Sequence, residues 1–343
     1  MRRVATLFSA LTLATLSWTA GTAAHAVTPA PSPSHPAPSP QGTSQGTSQG
    51  TSVSTEEQRA AIRFWTAERL RTARDVTTLP AARTAKLADP APTTGERVSV
   101  PPLPGPTAPA SAPSPRATSP TAWTGGGLIS TTAGKVFFQN ASGGTFACSA
   151  TVANSDNKSV VLTAGHCTVD AATGTGYRNW VFIPGYNNGN RPYGTFAARR
   201  LFWDAQYVST RGNANWDYAF AVMNTLNGRT LADTVGAQGI AFNSQTGRHV
   251  HSFGYGGSAA EGNGERLNHC EGNEFADAGR PGSTMWGIDC VQTGGSSGGG
   301  FLADFSGGAG YLIGNISVSA GTNEYHPTLG NEALGLYRQA GAA

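Results

Sequence analysis

The feature that most restricts the fold of this chain is a series of short apolar runs beyond Ala122. Turns rich in Gly and Asn separate these runs, which are K-V-F-F-Q, S-V-V-L-T, N-W-V-F-I, Y-A-F-A-V and G-Y-L-I-G-N-I-S-V. Runs of β-branched and aromatic residues bounded by turn residues are typical of β-strands. The pattern predicts an all-β domain. About 220 residues are enough for one sandwich or two small barrels with a substantial buried core.

The N-terminal third differs in composition from this domain. Of the 21 prolines, 17 lie at or before Pro120, whereas all four cysteines lie after it. Residues 1–121 hold 11 Lys and Arg against 6 Asp and Glu, and residues 122–343 hold 12 against 14. The basic excess therefore belongs to the N-terminal part, and the β domain offers no charge argument for binding nucleic acid.

The first 26 residues have the layout of a secretory signal peptide. Two arginines precede an apolar run shorter than the ~20 residues of a membrane span, and A-H-A at 24–26 follows as a cleavage site. We therefore expect a secreted, extracellular protein without a membrane anchor. Residues 27–121 would then form a propeptide. Its first part, 27–52, is rich in Pro and Ser and ends in a Q-G-T-S repeat, so we expect it to be disordered.

A helix is predicted near residues 54–74 of this propeptide. Ser54 and Glu57 form a capping-box pattern at its start. The apolar residues along one face are Ala61, Phe64, Trp65 and Leu70. Such a helix either docks on some other surface or covers an active site until cleavage, and the sequence favours neither. The proline-rich stretch 99–120 is expected to be a connector that a processing protease can cut.

The four cysteines of the downstream part predict two disulfides in an exported chain. Three pairings are possible, and we favour the pairing of sequence neighbours, Cys148 with Cys167 and Cys270 with Cys290. A zinc site made from these cysteines and His269 is the alternative, but the C-x-x-C spacing that favours zinc is absent. We therefore expect neither a metal nor a cofactor.

A serine becomes a good nucleophile when a base can take its proton and a carboxylate orients that base. The sequence offers a histidine, an aspartate and a serine for these three roles. His166 ends the strand-like S-V-V-L-T-A-G-H-C, directly before a cysteine. Asp217 precedes a strand-like run in N-W-D-Y-A-F-A-V-M. A carboxylate bordered by aromatic residues needs a hydrogen-bond donor, which a histidine ring would supply.

The serine lies in Q-T-G-G-S-S-G-G-G, residues 292–300, called the glycine-rich loop below. Its glycines allow two backbone N–H groups to converge on one point, as an oxyanion hole requires. A flexible linker would be expected at a domain boundary, whereas strand-like runs of the same domain follow this loop.

In this order, T-A-G-H-C, W-D-Y-A and G-S-S-G-G resemble the motifs of the chymotrypsin-like (trypsin-like) serine peptidases, especially the secreted bacterial members. The family's T-A-A-H-C is matched at 163–167, its D-I-A-L at 217–220 and its G-D-S-G-G at 295–299. The resemblance covers about residues 125–343. It implies two packed six-stranded antiparallel β-barrels as the peptidase domain, 122–343.

The resemblance also implies a role for each matched residue. His166 would be the general base, Asp217 would orient it, and Ser297 would attack the scissile carbonyl. The backbone N–H groups of Gly295 and Ser297 would form the oxyanion hole. Ser296 is the alternative nucleophile, but it lacks the two glycines that follow the family's serine directly.

The resemblance also bears on the first disulfide and on activation. The Cys148–Cys167 pair matches the disulfide that brackets the family's histidine. Ser296 replaces the family's aspartate, which in many animal members pairs with the new N-terminus after activation. Because a serine cannot form that ion pair, activation here is expected to act by uncovering the cleft.

The substrate pocket is matched at Val291 for its base and at Ser317, Val318 and Ser319 for its wall. Val291 is not the carboxylate that an Arg- or Lys-specific peptidase needs, although Asp289 lies two positions away. Glutamyl-specific bacterial relatives have a histidine on the wall, where this chain has Ile316. These residues favour apolar or small substrate side chains.

The resulting prediction is a secreted serine endopeptidase made as a zymogen. It would be a monomer that acts on polypeptides and binds neither nucleic acid nor membranes. Two alternatives remain, an inactive peptidase-like binding module and a glycine-rich β-sandwich that binds carbohydrate or cell wall. The first is disfavoured because all three catalytic positions are filled, and the second would make their order a coincidence.

Overall fold

The computed structural model describes residues 49–76, 90–105 and 117–343. All of them lie in one compact unit, Gln45–Ala343. The predicted signal peptide, most of the Q-G-T-S region and part of the connector therefore lie outside the described residues. Among the described residues, no helix is long and apolar enough to cross a membrane.

The described chain is built mainly from short strands, as the sequence predicts. The strands are β1 (Gln49–Ser52), β2 (Arg74–Asp75), β3 (Val98–Val100), β4 (Thr121–Ala122), β5 (Ala133–Gln139), β6 (Thr145–Ala153), β7 (Val160–Thr163), β8 (Val169–Asp170), β9 (Thr175–Gly176), β10 (Arg178–Pro184), β11 (Phe196–Trp203), β12 (Ala219–Met223), β13 (Gly239–Phe242), β14 (His249–Gly254), β15 (Asn268–Asn273), β16 (Phe275–Ala276), β17 (Trp286–Ile288), β18 (Gly300–Ser306), β19 (Ala309–Asn315), β20 (Val318–Ala320) and β21 (Asn323–His326). The helices are α1 (Thr55–Phe64), α2 (Ala67–Thr72), α3 (Ile129–Thr132), α4 (Ala205–Ser209), α5 (Leu231–Val235) and α6 (Asn331–Gly341).

Six strands close into an antiparallel barrel in the order β11, β10, β5, β6, β7, β12 and back to β11. Alternation along β5 shows why both faces of this barrel are apolar. Val136 and Phe138 point into the main core, whereas Phe137 belongs to a second cluster with Trp65 and Leu70. The helical segment that precedes the barrel therefore buries the barrel's outer face.

Strands of the second half are divided between two sheets. A seven-stranded sheet runs β3, β13, β19, β18, β14, β15, β4, and a four-stranded sheet runs β16, β17, β21, β20. The β13–β19 pair is parallel, and register shifts interrupt the β18–β19 pair. Such shifts bend a strand and break the ladder locally. The all-β fold with its closed six-stranded barrel is confirmed, while the second set of strands is not one continuous ladder in the described chain.

Segments before residue 123 add strands to both halves. β1 pairs with β11, β2 with β6, β3 with β13 and β4 with β15. Residues 49–52 were expected to be disordered, yet they form β1. Backbone pairing with a free strand edge needs little from the side chains, so a low-complexity segment can supply it.

The predicted helix near 54–74 is two helices. Ser54 and Glu57 form both hydrogen bonds of the capping box at the start of α1. α1 ends at Phe64 because Trp65 turns into the barrel surface, where its indole N–H donates to the Asn179 carbonyl at 2.6 Å. The hydroxyl of Thr66 then caps α2. α1 and α2 pack on the outer face of the barrel through Ala61, Trp65 and Leu70.

Candidate active site

His166 and Asp217 meet because they lie at the same end of two paired strands. β7 and β12 are antiparallel, with Thr163 opposite Ala219. His166 follows β7 in a 3-10 turn, Gly165–Cys167, and Asp217 precedes β12 after a 3-10 turn, Ala214–Trp216. The end of β7 therefore lies beside the beginning of β12, which brings His166 and Asp217 together.

The carboxylate of Asp217 accepts three hydrogen bonds although its side chain is nearly buried. His166 approaches twice, with ring Nδ1 2.6 Å from Oδ2 and its backbone N–H donating to Oδ1 at 2.8 Å. The hydroxyl of Ser317 donates to Oδ2 at 2.6 Å. Asn315 donates from its amide to the backbone carbonyl of Asp217 at 3.0 Å. The donors from His166 and Ser317 offset the cost of removing the carboxylate from water.

Both disulfides of the predicted pairing are present. Cys148–Cys167 joins β6 to the turn that carries His166, with Cα atoms 6.3 Å apart. Cys270–Cys290 joins β15 to the residues after β17, with Cα atoms 5.9 Å apart. Since all four cysteines are paired in this way, none is available for the alternative zinc site.

The glycine-rich loop is held on both sides and is not a flexible linker. From β6, the Ser149 N–H donates to the Ser297 carbonyl at 2.8 Å, and the Ser149 hydroxyl donates to the Gly295 carbonyl at 2.9 Å. On the opposite side, the Gly298 N–H donates to the Ile316 carbonyl at 2.7 Å. Sequence reasoning missed Ser149, whose only signal is its place directly after Cys148.

Two glycines of this loop have backbone angles that other residues avoid. Gly295 has φ of 93° and Gly298 has φ of 86°. A β-carbon at Gly298 would lie 2.3 Å from the Ser149 carbonyl oxygen. The glycine pattern read from the sequence therefore has a steric cause.

The two adjacent serines have different environments. Ser296 is 2% exposed, and its hydroxyl donates to the Thr293 carbonyl within the loop at 2.7 Å. Ser297 is 8% exposed, and its carbonyl oxygen is 3.7 Å from Cys167 Sγ, the residue after His166. Among the described residues, no hydrogen bond joins the Ser297 hydroxyl to the His166 ring. Catalytic hydrogen bonds of this kind are often long without substrate and tighten when it binds.

The predicted pocket residues differ in their exposure. Val291 and Val318 are half-buried, and Ser319 is exposed. Ser317 was predicted only as a pocket residue, but its hydroxyl donates a hydrogen bond to the carboxylate of Asp217. Asp289 is exposed and accepts a hydrogen bond from the Thr322 hydroxyl at 2.8 Å.

Glu324, which sequence reasoning missed, is a buried carboxyl directly behind this region. Its Oε2 accepts the backbone N–H of Gln292 at 2.9 Å, next to Val291, and its Oε1 accepts the hydroxyl of Ser252. Burial raises the pKa of Glu324 to about 7. The surrounding sequence, N-E-Y-H, carries no pattern that would mark this position.

Asp75 of β2 reaches the glycine-rich loop from the N-terminal part of the chain. β2 runs parallel to β6, with Asp75 opposite Ala147. A β-carbon at Gly295 would lie 2.7 Å from Asp75 Oδ1, and one at Gly257 would lie 1.7 Å from Oδ2. Burial raises the pKa of the Asp75 carboxyl, and the Lys135 ammonium partly opposes the shift.

No protein-family model matches the sequence, and no curated protein sequence matches it either. Among solved structures, the chain is similar to protease Anisep from Arthrobacter nicotinovorans, at 38% identity and a TM-score of 0.61, over 65% of this chain and 100% of that one. It is also similar to the thermostable serine protease AL20 from an extremophilic microorganism, at 37% identity and a TM-score of 0.59, over 63% of this chain and 99% of that one.

A Glu endopeptidase structure matches at 17% identity and a TM-score of 0.52, over 67% of this chain and 98% of that one, which supports the fold alone. The two more similar proteases are matched over essentially their whole length. The chain belongs to the chymotrypsin-like serine proteases of bacteria.

Proposed function

We propose that this protease is a secreted serine endopeptidase in which Ser297 is the nucleophile, His166 the general base and Asp217 the group that orients it. The observation that carries the proposal is the 2.6 Å contact between His166 Nδ1 and Asp217 Oδ2. It lies beside a rigid loop whose serine adjoins the disulfide-held histidine turn.

In this proposal the two ring nitrogens of His166 have different roles, because Nδ1 contacts Asp217 and Nε2 does not. With its Nδ1–H donated to the carboxylate, the neutral ring keeps a lone pair on Nε2. Nε2 takes the proton of the Ser297 hydroxyl as the oxygen attacks the substrate carbonyl, and it later returns that proton to the leaving amine. Water then attacks the acyl-enzyme. Nε2 takes a proton from this water and returns it to the Ser297 oxygen as the acyl group leaves.

The negative charge of the tetrahedral intermediate would be stabilised by the backbone N–H groups of Gly295 and Ser297. The two peptide units that carry these N–H groups are held through their carbonyl oxygens, because Gly294 accepts the Gly257 N–H at 2.7 Å and Ser296 accepts the Gly299 N–H at 2.9 Å. A preorganised donor of this kind typically contributes about 10²–10³ in rate. Val291, Val318 and Ser319 would favour apolar or small side chains next to the scissile bond.

We propose residues 1–26 as the signal peptide and 27–121 as a propeptide that keeps the enzyme latent. α1 and α2 would anchor this segment on the barrel, and Asp75 would block the cleft by lying against Gly295. A second contact lies beside the proposed triad, since the Trp216 indole N–H donates to the Pro90 carbonyl at 2.9 Å. Removal of the segment would uncover the cleft without an ion pair from a new N-terminus.

Labelling with a peptidyl phosphonate or a sulfonyl fluoride tests the proposed nucleophile. The processed protein should be labelled at Ser297, and Ser297→Ala should abolish both labelling and peptide hydrolysis. Ser296→Ala is the matched control, and it should retain most of the activity because its hydroxyl is used within the loop. A folded, processed protein that neither takes the label nor cleaves casein would count against an active peptidase.

A further inference from the structure

A cluster of imidazole and carboxylate groups lies on the hairpin formed by β14 and β15, apart from the proposed triad. His249 and His251 are on β14, and His269 and Glu271 are on β15. His251 is directly opposite Glu271 in the antiparallel register. Residues two apart along a strand, and those opposite each other on its partner, point to the same face. The hairpin therefore brings these side chains together.

We propose that His249, His251 and Glu271 bind a divalent transition-metal ion of the zinc type. The Oε2 atom of Glu271 is 3.5 Å from His249 Nε2 and 3.2 Å from His251 Nδ1. All three ligand atoms lie within 4.8 Å of one another. In a tetrahedral site with bonds of about 2.0–2.1 Å, ligand atoms are about 3.3 Å apart. Two of the three separations already match that geometry.

On His249 and Glu271, the atoms that would not touch the ion are held by other partners. His249 Nδ1 is 3.2 Å from Asn273 Oδ1, so its N–H can donate there and leave the lone pair on Nε2. Glu271 Oε1 accepts the backbone N–H of Ala117 at 3.2 Å, which leaves Oε2 for the ion. Metal-binding histidines almost always donate their other N–H to such a partner, which fixes the ring.

His269 lies beside the third ligand, His251. Its Nε2 is 3.0 Å from His251 Nδ1, and the two rings are stacked with an interplanar angle of 14°. Metal binding would replace the hydrogen bond between the two rings with a bond from His251 to the ion.

The donor set and the exposure of the cluster indicate the class of ion. Two imidazoles and one carboxylate suit Zn²⁺ or Co²⁺, whereas Ca²⁺ and Mg²⁺ prefer oxygen ligands only. The His249 side chain is 47% exposed, while those of His251 and Glu271 are 16% and 10% exposed. A metal ion can therefore reach the site from solvent, and water can complete its coordination.

Metal titration of the unprocessed Ser297→Ala protein tests the site without relying on activity. After treatment with a chelator and its removal, calorimetry with Zn²⁺ should show saturable binding in the micromolar range or tighter. Co²⁺ should give the visible absorption bands of a tetrahedral site. His249→Ala and Glu271→Gln should each weaken binding at least about 100-fold, and Asn273→Ala about 10–100-fold.

The control separates this site from the proposed triad, whose histidine could also bind zinc. His166→Ala in the same background should leave the affinity unchanged, and circular dichroism should show that each variant is folded. Loss of binding in His166→Ala, or unchanged binding in both His249→Ala and Glu271→Gln, would overturn the proposal. So would the absence of saturable binding at millimolar Zn²⁺.

Discussion

The stability of the protein should fall as the pH rises because of Glu324. This side chain has no exposed surface, and burial raises the pKa of its carboxyl from the ordinary 4.5 to about 7. Hydrogen bonds from Ser252 and Gln292 favour the ionised form, whereas the nearby carboxyl of Glu261 opposes it. The net upward shift of the pKa means that burial destabilises the ionised carboxylate more than the hydrogen bonds stabilise it.

The sign of the effect follows from proton binding. The carboxyl of Glu324 ionises near pH 4.5 in the unfolded chain and near pH 7 in the folded one. Between these values the folded chain binds more protons, so the free energy of unfolding decreases as the pH rises. The full contribution is present below pH 4.5 and is lost as the pH passes through 7. A shift of about 2.5 pKa units, at about 1.4 kcal/mol each, corresponds to about 3–4 kcal/mol.

Replacing Glu324 with Gln should remove this dependence. The amide can accept the Gln292 N–H and donate to the Ser252 hydroxyl, so the shape and both hydrogen bonds are kept. In a Ser297→Ala background, which prevents self-digestion, urea unfolding should show similar stability at the acid end of the range. Near pH 8 the Glu324→Gln variant should be more stable by about 3 kcal/mol.

The difference between the variant and the parent isolates the contribution of Glu324, because every other titrating group is the same in both proteins. Glu56→Gln, at an exposed position of α1, is the matched control and should give a profile parallel to that of the parent. Parallel profiles for Glu324→Gln and the parent would refute the reasoning.

Three further predictions concern the active site and the segment that covers it. Asp217→Asn should lower kcat by about 10⁴ because the His166 ring would lose the partner that sets its tautomer, as peptide hydrolysis by the processed enzyme would show; wild-type kcat would contradict this role. Asp75→Ala should speed phosphonate labelling of the unprocessed chain, since the side chain against the glycine-rich loop is shortened; equal labelling rates would argue against the blocking role. Gly298→Ala should lower the thermal midpoint strongly or prevent folding, because the new β-carbon would lie 2.3 Å from a carbonyl oxygen of β6.

Local sequence patterns were sufficient for several parts of the structure. The apolar runs ended in strands such as β5, β7 and β12, because side-chain alternation and turn residues act over a few positions. The capping box at Ser54 formed for the same reason. Pairing neighbouring cysteines was also sufficient, since the two disulfides close loops of only 19 and 20 residues.

The helix near 54–74 shows where local patterns stop being informative. Its apolar face predicted a helix, yet the break after Phe64 depends on Trp65 finding the carbonyl of Asn179, 114 positions away. The strand formed by residues 49–52 likewise depends on β11. A segment's own composition does not reveal which edge or surface is available to it.

The sequence by itself was enough to predict an all-β fold and the candidates His166, Asp217 and Ser297, because each rests on a short motif or on neighbouring residues. It favoured the observed disulfide pairing among three possible ones. Only the tertiary structure placed Asp75 against the glycine-rich loop and gave Glu324 its raised pKa. Burial and the approach of distant segments produce both effects. Burial and contacts between distant segments arise only when the chain folds, so no short run of adjacent residues predicts them.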